Sequence, residues 1–152
     1  MSAVTSGRLS SFYRTAERLG LQVPDEYIRE AAYRDTTTTY RVTNELLDLP
    51  DPPTCIIFPD DFASFGGINA IRERELRIPE DISVAGYDGI QVTRQLEPRL
   101  TTVQQDTEQI GCLAARELIS LIERPKTTII EQVIVPGKVV EGKSVAQIPT
   151  DK

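Results

Sequence analysis

Histidine is absent from all 152 residues of the sequence. Because histidine is the commonest general base and metal ligand near neutral pH, its absence argues against a hydrolase triad and against a zinc site. Positive charge is also scarce, since the sequence has 17 Lys and Arg residues against 23 Asp and Glu residues, which gives a net charge of -6. Nucleic-acid backbones are bound by clusters of Lys and Arg side chains, so we do not expect this chain itself to bind DNA or RNA.

Cysteines are few, and long apolar runs are missing. Cys55 lies in a short apolar run and Cys112 on the apolar face of a predicted helix, without CxxC spacing. Both are therefore predicted to be buried core residues rather than a disulfide. No run approaches the roughly 20 apolar residues of a membrane span, and residues 1–4 do not begin a signal peptide, so we expect a cytoplasmic chain.

Two short apolar runs end in carboxylates, and the chain is organised around them. Residues 54–58 lead into Asp60 and Asp61, and residues 82–87 lead into Asp88. A helical stripe lies between the two runs, which predicts a β-α-β unit in an α/β domain with a parallel sheet. Ligands of open parallel sheets bind beyond the carboxyl ends of the strands, so we expect these acids at a binding edge.

The other predicted elements are mostly helices. Helices are expected over residues 8–19, over 40–47 with the cap candidates of 35–39 at the helix entry, over 62–75, and over 107–122 behind a capping-box start at Asp106. We also expect a strand or extended segment at 27–33, a short helix or turn at 89–97, an extended crossing at 98–103, strands at 127–135 and 137–140, and a frayed tail at 142–152. No strand precedes the first helix for it to pack on, so we expect the fold to be truncated at its N-terminus.

The adjacent acids Asp60 and Asp61 have two interpretations. In the first, one of them caps the next helix by accepting backbone N–H bonds and the other is left for a ligand. In the second, they form a phosphoryl-transfer site with Asp88 or Asp60 as the acceptor. That chemistry needs Lys and Ser or Thr at later strand ends, which the sequence does not clearly supply.

Cationic and aromatic side chains flank the predicted edge. Arg8 stands at a helix start, where a cation is unfavourable, so it is either solvated or held by a ligand or carboxylate. Tyr33, Phe62 and Tyr87 are either packing residues or part of a site, and aromatic faces beside carboxylates are typical of sugar sites. The Gly66-Gly67 pair lacks the Lys-Ser of a phosphate loop and would let another helix approach, within the fold or across a dimer.

Five motifs, in order and spacing, resemble the lactose/galactose-repressor (LacI/GalR) family of bacterial transcription regulators. They are Arg8-Leu9-Ser10-Ser11-Phe12, residues 57–66, residues 78–88, residues 100–106 with Ile110-Gly111, and residues 139–144. The run I-P-E-D-I-S-V-x-G-Y-D followed by L-T-T-V-x-Q-D is highly specific. The sequence departs from the family at Ser11, where glycine is usual, and at Asp60, where several relatives have asparagine.

This resemblance implies a periplasmic-binding-protein-like (type I) fold, with two α/β lobes around an effector cleft. Residues 1–99 would form the C-terminal lobe without its first strand, and residues 100–124 would belong to the N-terminal lobe. Residues 125–152 would return to the C-terminal lobe as strands and a tail. The helix after Asp106 would then lack its sheet partner, so we expect an exposed apolar face, a dimer or swapped elements.

The family's ligand contacts carry over to single residues. The implied ligand-binding set is Arg8, Asp60 and Asp88, with Thr107 at the position of a cleft-lining aromatic, and Tyr33 and Phe62 beside them. The implied dimer-interface residues are Ala63, Gly66, Gly67, Ala70 and Gln91.

The implied function is the effector-binding and dimerising part of a transcriptional regulator, not an enzyme, without metal or cofactor. Its effector is expected to be a sugar, and operator DNA would be bound only by a DNA-binding head, an N-terminal domain outside this chain. The alternatives are a solute-binding protein of a sugar transporter, which the missing signal peptide disfavours, and the phosphoryl-transfer domain.

Overall fold

A computed structural model describes residues 3–127, 129 and 132–147. The helices are α1 (Ala3–Arg18), α2 (Thr36–Leu47), α3 (Asp61–Glu73) and α4 (Thr107–Glu123). The strands are β1 (Cys55–Ile57), β2 (Ser83–Asp88), β3 (Thr101–Gln104) and β4 (Lys138–Val140), and 3-10 turns lie at Asp25–Tyr27 and Gln91–Gln95. None of the described helices is both long and apolar enough to cross a membrane.

The four strands form one sheet in the order β1-β2-β3-β4. β1, β2 and β3 run parallel, and β4 pairs antiparallel to β3. The unit β1-α3-β2 is the β-α-β unit that the sequence predicts, and its register sets Ile56 opposite Val84. Because the three parallel strands share a direction, Asp88 at the end of β2 lies at the same edge of the sheet as Asp60 and Gln105, which come shortly after β1 and β3.

Aspartates fix the starts of three helices. Asp35 accepts a hydrogen bond from the backbone N–H of Thr38 at the start of α2, and Asp106 accepts one from Gln109 at the start of α4. Both caps confirm the sequence prediction, and Asp60 caps α3 in the same way. Each cap satisfies an N–H that the helix itself cannot bond, so the turn before each helix is held in place.

The core lies between the sheet and the α2–α3 pair. Its buried apolar side chains are Leu46, Ile56, Phe58, Ile68, Ile71, Ile82, Val84 and Leu100. α2 and α3 approach so closely that a Cβ on Gly66 would lie 2.0 Å from the carbonyl oxygen of Thr36. The small residues of α3 therefore serve a contact within the chain.

The segment after β4 is not a frayed tail in its described part. Ser144 is 1% exposed, its carbonyl accepts from the Val84 N–H at 2.8 Å, and its hydroxyl donates to the Val84 carbonyl at 2.7 Å. The same hydroxyl accepts from the Thr101 N–H at 2.8 Å. The prediction is wrong for residues 142–147, because this segment bonds to the middle of the sheet; residues 148–152 lie outside the description.

Three other sequence predictions change. β3 is a sheet strand rather than an extended crossing, because residues 101–104 pair parallel with β2. Residues 27–33 contain the end of a 3-10 turn and no strand. Of the strand predicted at 127–135, the described residues 127, 129 and 132–135 are not in a strand, and 128, 130 and 131 lie outside the description.

Apolar surface is exposed on α4 and β1. None of the described side chains of α4 is buried within this chain, and coverage of its apolar face by a dimer or a swapped element stays a prediction. Its large exposed residues are Ile110, Leu118, Ile119 and Ile122. Cys55 and Cys112 are both exposed, contrary to prediction, because only Ile56 of the edge strand β1 faces the core and the face of α4 is uncovered.

Acid is expected to destabilise the fold as the pH falls from about 4 to about 2. Three 2.8 Å hydrogen bonds from Arg77 lower the pKa of Asp81 to about 2, and hydrogen bonds from Thr38 lower the pKa of Asp35. A folded-state pKa below the ordinary value, about 3.9, means that the ionised carboxylate stabilises the fold above that pH and that this stabilisation is lost on protonation. The midpoint temperature of thermal unfolding should therefore decrease when the pH is lowered below 4. In Asp81→Asn this decrease should be smaller than in the wild-type protein. Equal decreases in the two proteins would contradict the role given to the Asp81 carboxylate.

Candidate ligand-binding site

Asp88 lies at the carboxyl end of β2 and is held by two neighbouring side chains. The Tyr33 hydroxyl donates to its Oδ2 at 2.6 Å, and Gln105 Nε2 donates to its Oδ1 at 2.6 Å. The backbone of Asp88 has a φ of 113°, a region that side-chain-bearing residues rarely adopt and that is common at binding sites. The hydrogen bond to Asp88 also raises the pKa of Tyr33, so this phenol stays a donor.

Arg8 joins α1 to the ends of both neighbouring strands. Its guanidinium lies 3.8 Å from the centroid of the Tyr87 ring and donates to the Pro59 carbonyl at 2.9 Å. Tyr87 precedes Asp88, and Pro59 follows β1. Arg8 is the sixth residue of α1, so the predicted helix start at residue 8 is wrong, and its guanidinium is held by the Tyr87 ring and the Pro59 carbonyl.

Asp60 is turned inward rather than toward a ligand. It is 1% exposed, and its Oδ1 accepts from the Ala63 N–H at 2.8 Å while its Oδ2 accepts from the Arg34 N–H at 2.9 Å. Arg34 has a left-handed backbone, with a φ of 59°, and its guanidinium lies 4.4 Å from the centroid of the Phe62 ring. Asp60 is thus the helix cap of the acid pair, and it also fixes the residue after Tyr33.

Asp61 is fully buried and supports the loop after Asp88. Its Oδ1 accepts from the Thr102 hydroxyl at 2.6 Å, and its Oδ2 accepts from the Ile90 N–H at 2.9 Å. Burial raises the pKa of Asp61 above the ordinary carboxyl value. The expectation that this second acid is left for a ligand is wrong, because both its oxygens are used within the fold.

The predicted site residues divide into three groups. Arg8, Tyr33 and Asp88 come together at the edge, and Phe62 is partly exposed under Arg34. Asp60 reaches the edge only through the Arg34 backbone. Thr107 is exposed at the start of α4, two residues after Gln105.

The predicted dimer-interface residues are mostly inside the chain. Ala63, Gly66, Gly67 and Ala70 are buried, and a Cβ on Gly67 would lie 2.1 Å from the Phe58 ring. The structure therefore corrects the prediction at these four residues, since α2 and Phe58 cover them. Gln91 is exposed on its 3-10 turn, and its interface role stays a prediction.

Sequence reasoning missed Arg34 and Gln105. Gln105 follows β3, and it could have been found if residues 101–104 had been predicted as a third parallel strand. Arg34 carries no local signal, because its left-handed backbone is stabilised by a carboxylate 26 positions away in the sequence. Among the described residues, no group of three or more Cys, Asp and Glu side chains could hold a metal ion.

The sequence matches the family described as Periplasmic binding protein-like domain over residues 2–145. The probable HTH-type transcriptional repressor ExuR of Bacillus subtilis (strain 168) is 38% identical over 107 residues, which are 70% of this chain and 32% of that protein. The HTH-type transcriptional repressor PurR of Serratia proteamaculans is 33% identical over 94% of this chain and 41% of its own length. The chain thus spans less than half the length of these curated relatives.

Solved structures show the same architecture. A LacI-type putative transcriptional regulator from Bacillus cereus subsp. cytotoxis superposes with a TM-score of 0.90 at 25% identity, over 96% of this chain and 51% of that one. A LacI family regulator from Enterococcus faecium with bound ribose gives 0.81 at 27% identity, over 93% and 52%. The lac repressor dimer bound to operator gives 0.80 at 26% identity, over 92% and 47%.

Proposed function

Because the chain belongs to the family of periplasmic binding protein-like domains, we propose that it is the effector-binding part of a LacI-type transcriptional regulator. Its site is the edge formed by Arg8, Tyr33 and Asp88, and its effector is a small hydroxylated molecule of the sugar class. The relatives named as repressors and the ribose-bound neighbour support this proposal.

The observation that carries the proposal is the Asp88 carboxylate at the end of β2. Tyr33 and Gln105 fix its orientation, and each carboxylate oxygen can accept a further hydrogen bond from a ligand hydroxyl. The Arg8 guanidinium, which lies over the ring of the preceding Tyr87, supplies donors, and the Tyr87, Tyr33 and Phe62 rings supply apolar surface for the C–H faces of a sugar. Such fixed donors and acceptors suit recognition, so we propose a binding protein and not an enzyme.

We also propose how the whole regulator uses this site. The sheet and α1–α3 form one lobe of a cleft, the chain crosses to the other lobe at α4, and the apolar face of α4 packs there. Effector binding would change the balance between open and closed lobes and thereby the affinity of a DNA-binding head for its operator. The regulator would act as a cytoplasmic homodimer, with Gln91 among the candidate contacts.

The test is an electrophoretic mobility shift of the promoter DNA upstream of the gene, with the complete gene product that carries these 152 residues. We expect specific DNA binding whose affinity changes about 5- to 150-fold on addition of a hydroxylated effector. Tight sugar binding without specific DNA binding in any ligand state would contradict this proposal and support the solute-binding alternative.

A further inference from the structure

The position of Arg34 at the site is fixed by its backbone. Its backbone N–H donates to the buried Asp60 carboxylate, and this bond holds a left-handed conformation that is unfavourable for arginine. The neighbouring Tyr33 reaches Asp88 from the same short segment. The strained backbone at Arg34 therefore aims two consecutive side chains at the edge of the sheet.

The Arg34 guanidinium retains its capacity to bind an anion. It is exposed, its Cζ lies 4.4 Å from the centroid of the Phe62 ring, and its N–H groups make no hydrogen bond to another described residue. In the described part of the chain, Arg29, Arg41, Arg74 and Arg77 form ion pairs with carboxylates, and neither Arg8 nor Arg34 does so.

The neighbouring carboxylates do not neutralise Arg34 by direct contact. Both oxygens of Asp60 accept backbone N–H bonds, and both oxygens of Asp61 are bonded inside the fold. Asp88 is bonded to Tyr33 and Gln105. The edge thus presents two guanidiniums and one carboxylate to a ligand, an arrangement that suits a molecule with both hydroxyl groups and one negative charge.

We infer that the effector is a sugar acid whose carboxylate is bound by Arg34 while its hydroxyls bind Asp88. This inference rests on the proposed function and names the ligand class of the same site. A guanidinium matches a carboxylate with two parallel hydrogen bonds. A single negative charge fits better than a phosphate dianion, because it balances the two guanidiniums and one carboxylate that the edge presents, whereas a second charge would add to the repulsion from Asp88.

The test compares ligands that differ only at C6, by isothermal titration of the complete gene product. The probes are glucose, glucuronate and glucose 6-phosphate, with galactose and galacturonate as a second pair. We expect a hexuronate to bind about tenfold or more tightly than its parent hexose, with an advantage that shrinks as salt is added. Arg34→Gln should remove about tenfold of hexuronate affinity and leave hexose affinity within about twofold.

Two further variants make the result specific. Arg34→Lys keeps the charge but not the fork and should give an intermediate hexuronate affinity. Arg14→Gln removes an exposed arginine of α1 that bonds to Ser11, and it should change neither ligand. Three results would overturn this inference while leaving the proposed function intact. They are hexose binding equal to or tighter than hexuronate binding, glucose 6-phosphate binding tighter than glucuronate binding, and an unchanged hexuronate affinity in Arg34→Gln. Binding of none of the probes would overturn the sugar effector of the proposed function as well.

Discussion

Asp88→Ala in the complete gene product is expected to weaken effector binding by about 30- to 150-fold, or about 2–3 kcal/mol of binding free energy. The variant removes the acceptor that Tyr33 and Gln105 hold at the end of β2, and it leaves both of those donors without their partner. The affinity is measured by isothermal titration with the ligand that binds the wild-type protein most tightly.

Two other variants make the Asp88 experiment decisive. Asp88→Asn keeps the shape and tolerates the φ of 113° better than alanine does, so it covers the case in which Asp88→Ala folds poorly. It should still lose most of the affinity, because an amide has one acceptor oxygen where the carboxylate has two. Glu80→Ala removes the same charge at an exposed position near the opposite end of β2 and should bind normally. Unchanged affinity in both Asp88 variants would refute the site.

Gly66→Ala is expected to lower the free energy of unfolding by about 2–3 kcal/mol, and the midpoint of thermal unfolding by about 4–12 °C. The new Cβ would lie 2.0 Å from the Thr36 carbonyl oxygen and 2.8 Å from its carbon, and these are backbone atoms that cannot rotate away. α2 must therefore shift from α3. Because Tyr33 and Arg34 lie just before Asp35, the cap of α2, the shift should also weaken ligand binding.

Gly111→Ala provides the matched control for Gly66→Ala. Gly111 is also a helical glycine, but a Cβ there meets no atom within 4 Å. Alanine restricts the unfolded chain and favours a helix, so this variant should gain about 0.5–1 kcal/mol. The same chemical change is thus expected to have opposite signs at the two positions, as measured by urea unfolding. A loss at Gly66 no larger than about 0.5 kcal/mol would show that α2 and α3 are not in tight contact.

Local patterns predicted most of the elements that position the site. The apolar runs before Asp60 and Asp88 predicted two strands, the Asp and Thr residues of 35–39 predicted one cap, and the spacing from Asp106 to Gln109 predicted another. Each of these signals lies within a few residues of the feature it predicts. The direction of a carboxylate is different, since Asp60 has the same sequence neighbours whether it faces a ligand or Arg34.

Contacts between distant parts of the chain could not be predicted in this way. The bonds of Ser144 to Val84 join residues 60 positions apart, and nothing in residues 142–147 alone indicates a partner. The left-handed backbone of Arg34 depends likewise on a buried acid from another element. Burial of Cys55 and Cys112 was predicted from their apolar neighbours, but an apolar neighbourhood does not show whether a second layer covers it.

The bonds of Ser144 have a consequence for the order of synthesis. Val84 in the central strand depends on Ser144 for hydrogen bonds to both its N–H and its carbonyl oxygen, and Thr101 at the start of β3 bonds to the same side chain. A nascent chain on the ribosome can form α2, β1 and α3 early, because their contacts are close in sequence. Its sheet stays incomplete until residue 144 has emerged, so the edge that carries Asp88 reaches its final rigidity only after that point of synthesis.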